Sequence, residues 1–210
     1  MQKQIKAVAA HEAGHGVAHA FLGDNYTDLS FISIINNNGA MGGVKYKNIF
    51  FTPDILPMRR ASILCLSGPV AEEIKFKTND NPLGTGCWKK AYHLCTTDIT
   101  EEEWFKYHDI GKAWCNIMKD RHNSKAAPAI MRYMEKWTLE MLNRNDVRSA
   151  LDALFEKLLE KGIIYFNEYD KIVKTIRWKS ICDPVWRRRL HLYDDIVLQR
   201  PYLPGLIDSQ

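Results

Sequence analysis

The stretch His11-Glu12-Ala13-Gly14-His15 decides how this chain is read, because two histidines four residues apart on a helix present both imidazoles to one metal ion. A helix turns about 100° per residue, so positions i and i+4 lie nearly above one another. Glu12 falls beside the pair. Its carboxylate is poorly placed as a third ligand but can take the proton of a metal-bound water, the general-base role in metal-assisted peptide hydrolysis. Zn2+ is the expected ion, with His11 and His15 as ligands and Glu12 as the catalytic base.

Working outward, residues 4–22 are alanine-rich and free of proline, and Gly23 stands where a helix C-terminus places a left-handed cap. Ile5, Val8, Ala9, Ala13, Gly16, Val17, Ala20 and Phe21 give this helix an apolar surface, while His11, His15 and His19 line a neighbouring stripe. His19 lies eight positions beyond His11, roughly 12 Å along the axis, so those two cannot share one ion. A packing or ligand-orienting role is expected for it. Small Ala13 and Gly14 let another element approach the motif closely.

With 210 residues the chain can bury a real core. Its formal charge of +4 is spread along the sequence and does not point to nucleic acid; Arg187-Arg188-Arg189 reads as a solvated patch. The five cysteines are an odd number without CxxC spacing, which favours reduced thiols over a disulfide framework. Cys87, His93 and Cys95 lack the regular spacing of a zinc knuckle. No run of 18 apolar residues exists, and the zinc helix begins at once, leaving no room for a signal peptide. A soluble, cytoplasmic protein without a transmembrane segment is the expectation.

The fold expected is mainly α with a small β-hairpin or sheet, an α+β domain over residues 1–178, followed by an extended or partly disordered tail over 179–210 that carries Pro184, Pro201 and Pro204. Strands are predicted over 29–35 and 42–51, separated by the turn residues Asn36-Asn37-Asn38-Gly39. Helices are predicted over 57–76, with Pro69 a kink or restart, then from Thr100 to about Lys119 behind a Thr100/Glu103 capping box. Further helical patterns cover 126–144, 146–161 and 168–178.

The order of these motifs resembles the peptidase domain of the FtsH family of ATP-dependent zinc metalloproteases and its stand-alone relatives, over roughly residues 1–176. His11-Glu12-Ala13-Gly14-His15 is similar to that family's zinc helix, and Ala40-Met41-Gly42-Gly43 sits where the family has its hairpin strand. Ser67-Gly68-Pro69-Val70-Ala71-Glu72-Glu73-Ile74 is similar to its GGRxAEE segment. Asp109-Ile110-Gly111-Lys112-Ala113 resembles its DIxxA helix, which implies Asp109 as the third zinc ligand. The resemblance also implies a polypeptide substrate added as a strand along Met41, Gly42, Gly43 and Val44. Glu72 and Glu73 would orient ligands or cap structure.

Two departures qualify what the resemblance implies. The 210 residues contain no AAA ATPase module, so action on exposed or flexible polypeptide, self-association, or a separate ATPase partner is implied. Aligning Thr85-Gly86 to the family's TGxSxD stretch puts Lys90 at the ligand position, and an ammonium has no lone pair to donate. The aspartate must then lie further on. Asp98, placed just before a helix cap, and Asp109, followed by an alanine four residues later, are the two candidates, and the family pattern favours Asp109. His93, Tyr107 and His108 are candidates for a second oxyanion donor. The alternative to a peptidase is a catalytically silent zinc- or peptide-binding module of the same fold, against which the intact Glu12 argues.

Overall fold

The computed structural model describes residues 2–22, 29–35, 42–46, 55–76, 109, 112–113 and 127–182. It is mostly helical with a small antiparallel sheet of three strands, an α+β architecture. In chain order the elements are α1 (Gln2–Leu22), β1 (Leu29–Ser33), β2 (Gly43–Tyr46), α2 (Ile55–Phe76), α3 (Ala127–Leu142), α4 (Asn145–Lys161), β3 (Ile163–Tyr165) and α5 (Phe166–Cys182).

The hub is α1. A helix that is small and apolar on nearly every side belongs in an interior, and from Ala7 to Phe21 only His11 and His15 are more than slightly exposed. It packs against α2, α4 and α5. Leu151, Leu154 and Leu158 of α4, Tyr169, Val173 and Ile176 of α5, and Ile63, Leu66 and Val70 of α2 are buried in the same core. Closest approach is at Gly14, where a Cβ would lie 2.3 Å from the Ser67 carbonyl oxygen of α2. The Tyr169 hydroxyl, wholly buried, donates to the carbonyl of Gly16 at 2.8 Å and ties α5 to the turn that follows His15.

The strands lie in the order β2-β1-β3, each pairing antiparallel with β1. Ile32 sits between Val44 and Ile164 on the face turned to the core. A register shift between Leu29 and Phe31 lets Leu29 and Ile32 both be buried despite an odd spacing, which is what a β-bulge does to the alternation. On the other face Phe31 meets the exposed Tyr165 edge-on, with Lys45 over its ring.

Several boundaries differ from the sequence expectation. The helix read as starting at 168 begins at Phe166 and runs to Cys182, past Lys179 where a tail was expected to start. Nothing in residues 179–182 stops a helix; the first breaker is Pro184, which disfavours helical backbone in the residue before it. Strand β3 was not foreseen. It follows Gly162, whose φ of 74° closes α4 in the left-handed region that glycine tolerates, with its N–H on the Leu158 carbonyl. The Gly162 carbonyl then accepts from Ile34 N–H at 2.9 Å, bringing β3 alongside β1. Pro69 lies inside α2 and does not divide it. The turn at 36–39, Met41, Asp98, the Cys87/His93/Cys95 group, Tyr107, His108 and residues 183–210 lie outside the described residues. Among the described residues, no helix is long and apolar enough to cross a membrane.

Candidate metal centre

His11 and His15 project from one side of α1, with ring centroids 4.6 Å apart and planes at 81°. Their Nε2 atoms stand 3.0 Å from each other. Asp109, in a helical segment remote in sequence, brings Oδ2 to 2.9 Å from Nε2 of His11 and 3.3 Å from Nε2 of His15. That segment is docked on α2 through Ala113, which is wholly buried and whose carbonyl accepts from the Ser62 hydroxyl at 3.3 Å. Among the described residues, His11, His15 and Asp109 are the one group of three with metal-ligand side chains converging in this way. His19, buried further along α1, is not in it.

The hydrogen bonds on the far sides of the two rings determine what faces inward. Nδ1 of His15 lies 2.7 Å from the Leu64 carbonyl oxygen, which can only accept, so that nitrogen carries the proton. Nδ1 of His11 lies 2.6 Å from Oε1 of Glu72, again an acceptor. In the form that binds a metal, each imidazole therefore turns its Nε2 inward toward the other, and the Asp109 oxygen is the third atom of the group. Three such atoms about 3 Å apart need positive charge among them, which a proton on Nε2 of His11 donated to Asp109 supplies in the metal-free chain and a bound ion would supply in its place. A tetrahedral zinc with ligands at about 2.0–2.1 Å separates its ligand atoms by roughly 3.3–3.4 Å, close to the separations of 2.9, 3.0 and 3.3 Å found here. The donor set of two imidazoles and a carboxylate suits that ion.

The electrostatics express the same demand for positive charge. Burial by itself disfavours a charged His11, yet hydrogen bonding to Asp109 and Glu72 and the negative charges of Asp109 and Glu12 outweigh it, pushing its pKa from 6.5 up to about 10. Burial by itself would raise Asp109, but hydrogen bonding to His11 and His15 wins and holds its carboxyl well below the usual carboxylate range. The second oxygen of Asp109, Oδ1, accepts from the half-exposed Lys112 ammonium at 2.9 Å, leaving Oδ2 as the one turned toward the imidazoles.

Glu12 is buried next to the pair and is raised above its ordinary value, first by burial and also by the charge of Asp109, against the opposing charges of His15 and His11. Its Oε1 faces Gly42, where a Cβ would lie 3.0 Å from that oxygen and 2.7 Å from the Val8 side chain. Of the proposed substrate segment, Gly42 thus abuts Glu12, Gly43 faces open space, and Val44 packs partly buried against the core. Cys65, also on α2, is pushed up to about 12, by burial first and then by Asp109, and remains a thiol outside the ligand group.

Four contributors were not singled out from sequence as site residues: the Leu64 carbonyl, Ser67, Gly68 and Lys112. The Ser67 hydroxyl donates to the Leu64 carbonyl at 2.6 Å and lies 3.3 Å from Nδ1 of His15. Their one sequence signal is the Gly68-Pro69 pair in a helix interior, two poor helix formers that ask for a reason. Compared with known proteins, the chain matches no protein-family model and no curated protein.

Proposed function

We propose that this chain is a zinc-dependent metallopeptidase whose site is organised like that of FtsH-type peptidase domains, with His11, His15 and Asp109 holding the ion and Glu12 as the general base. The observation that carries the reading is the convergence of Nε2 of His11, Nε2 of His15 and one Asp109 oxygen, with the opposite ring nitrogens held by Glu72 and the Leu64 carbonyl. Such an arrangement suits a bound cation. Glu72 supports it as the carboxylate that orients and strengthens a metal-binding histidine.

Bound zinc would supply Lewis acidity, acidifying a water and polarising the scissile carbonyl. The chain's own residues do the rest. Glu12, buried and by that burial raised above its ordinary value, takes the proton of the attacking water and passes it to the departing amine. Lys112 occupies one oxygen of Asp109 and keeps the other for the ion. As an outer strand of the described sheet, β2 offers unpaired backbone groups along which an extended polypeptide adds as a further strand, and Gly42 leads that strand past Glu12. An extended substrate suits exposed or flexible polypeptide, or a chain delivered by a separate ATPase or a self-assembled form.

A zinc- or peptide-binding module without catalysis is the competing reading. Glu12 weighs against it, because burying an ionisable group that contributes no ligand is costly unless it is used. The deciding experiment measures zinc in the purified protein and cleavage of an unstructured protein such as casein, with and without chelator. About one zinc per chain and cleavage that chelator stops and added zinc restores are expected. Zinc without cleavage selects the zinc-binding module, and absence of zinc ends the peptidase reading and leaves a metal-free peptide-binding module.

A further inference from the structure

Gly68 lies on α2 directly opposite the zinc-helix histidines, and a Cβ built there would stand 2.7 Å from Nε2 of His11, 2.7 Å from Nε2 of His15 and 2.8 Å from Cδ2 of His11. Those separations are well inside van der Waals contact, so a side chain at 68 meets the two atoms that must share an ion, not the periphery of their rings. Glycine is disfavoured in a helix interior relative to alanine, yet α2 carries one at this buried point, one residue before its proline. Folding preference does not explain that choice; the space between the imidazoles does.

We infer that Gly68 is the metal-admitting position of this chain: its missing side chain leaves the room in which His11 and His15 close on one ion. The inference rests on the metallopeptidase reading above. It also separates two kinds of glycine at the helix crossings. A Cβ at Gly16 would meet the flexible ends of Ile32 and Leu154 at 2.7 and 3.2 Å, in the core and away from both Nε2 atoms. Gly16 serves packing, whereas Gly68 serves the ion.

The test compares wild type, Gly68→Ala and Gly16→Ala by zinc content after dialysis, by the visible spectrum with cobalt in place of zinc, and by melting of the chelator-stripped chains. Gly16→Ala is expected to melt lower and keep its zinc. Gly68→Ala is expected to melt cooperatively, to lose zinc affinity by at least about tenfold, and to lose the tetrahedral cobalt absorption. Unchanged zinc affinity and cobalt spectrum in Gly68→Ala would overturn the inference while leaving the metal centre standing. A wild type without zinc removes the metallopeptidase reading and this inference with it. Should Gly68→Ala not fold, the triple variant His11→Ala/His15→Ala/Gly68→Ala, which removes both rings the new methyl meets, is expected to recover the melt. Failure to recover it would also overturn the inference.

Discussion

Glu72 and His11 stand 61 positions apart in sequence and meet at 2.6 Å, carboxylate oxygen to ring nitrogen Nδ1. This contact decides which nitrogen of His11 is free to bind an ion, because the proton is held at Nδ1 by a negatively charged acceptor. Glu72 is almost wholly buried, so its charge acts with little screening by solvent. Replacing it by glutamine, which removes the charge and keeps the shape, is expected to weaken zinc binding by about 10-fold to 100-fold. Competition with a chelator of known affinity reads this directly, and an unaltered affinity would show that the contact is packing alone.

The proposed ligand set makes the sharpest demand. His11→Ala, His15→Ala and Asp109→Asn should each lose most of the metal, since a tetrahedral site with three protein ligands cannot spare one. Asp98→Asn should keep it and lose about 1 kcal/mol of stability or less, as for a helix-start residue. Elemental analysis of the four variants checks this. Retention in Asp109→Asn with loss in Asp98→Asn would transfer the ligand to Asp98.

Glu12→Gln separates binding from chemistry. The amide fills the same buried space but cannot accept a proton, so zinc content should hold while turnover falls by about 100-fold to 10,000-fold. Peptide cleavage at the wild-type rate by this variant would remove Glu12 from the mechanism.

Away from the site, Glu135 on α3 provides a pH dependence of stability. Burial first, and then the charge of Glu73 on α2, raise its pKa from 4.5 to about 7. The folded state therefore holds a proton that the unfolded chain releases. The stability this contributes is fully present below about pH 4.5 and is lost as pH rises through about 7. Glu135→Gln should stabilise the protein at pH 8, by on the order of 1 kcal/mol after screening at this partly exposed position, and do little at pH 4. Denaturant melts at the two pH values test it; equal effects at both would refute the assignment.

Much of α1 was legible from residues 4–22 alone, because helical geometry is local: four residues on one helix put His11 and His15 side by side wherever the helix sits. Glu12 shares that turn, so the HExxH pattern carried the proposed base along with two of the proposed ligands. The helices over α2, α3 and α4 were likewise visible in their apolar periodicity, to within about two residues at most ends. Strand β3 was not, since three residues are too few to show alternation. It exists because the left-handed Gly162 turns the chain back and β1 offers an open edge.

The sequence by itself determined the histidine pair, the glutamate between them and the helical character of the chain, all of which follow from contacts within a few residues. Only the tertiary structure decided which carboxylate faces Nε2, that Glu72 and the Leu64 carbonyl hold the outer ring nitrogens, and that Gly68 leaves the space between the rings. Those relations arise where α2 crosses α1 at Gly14 and where the Asp109 segment docks through Ala113. They depend on how separate elements pack, and a side chain's partner across 61 or 98 positions is set by that packing and by no local periodicity.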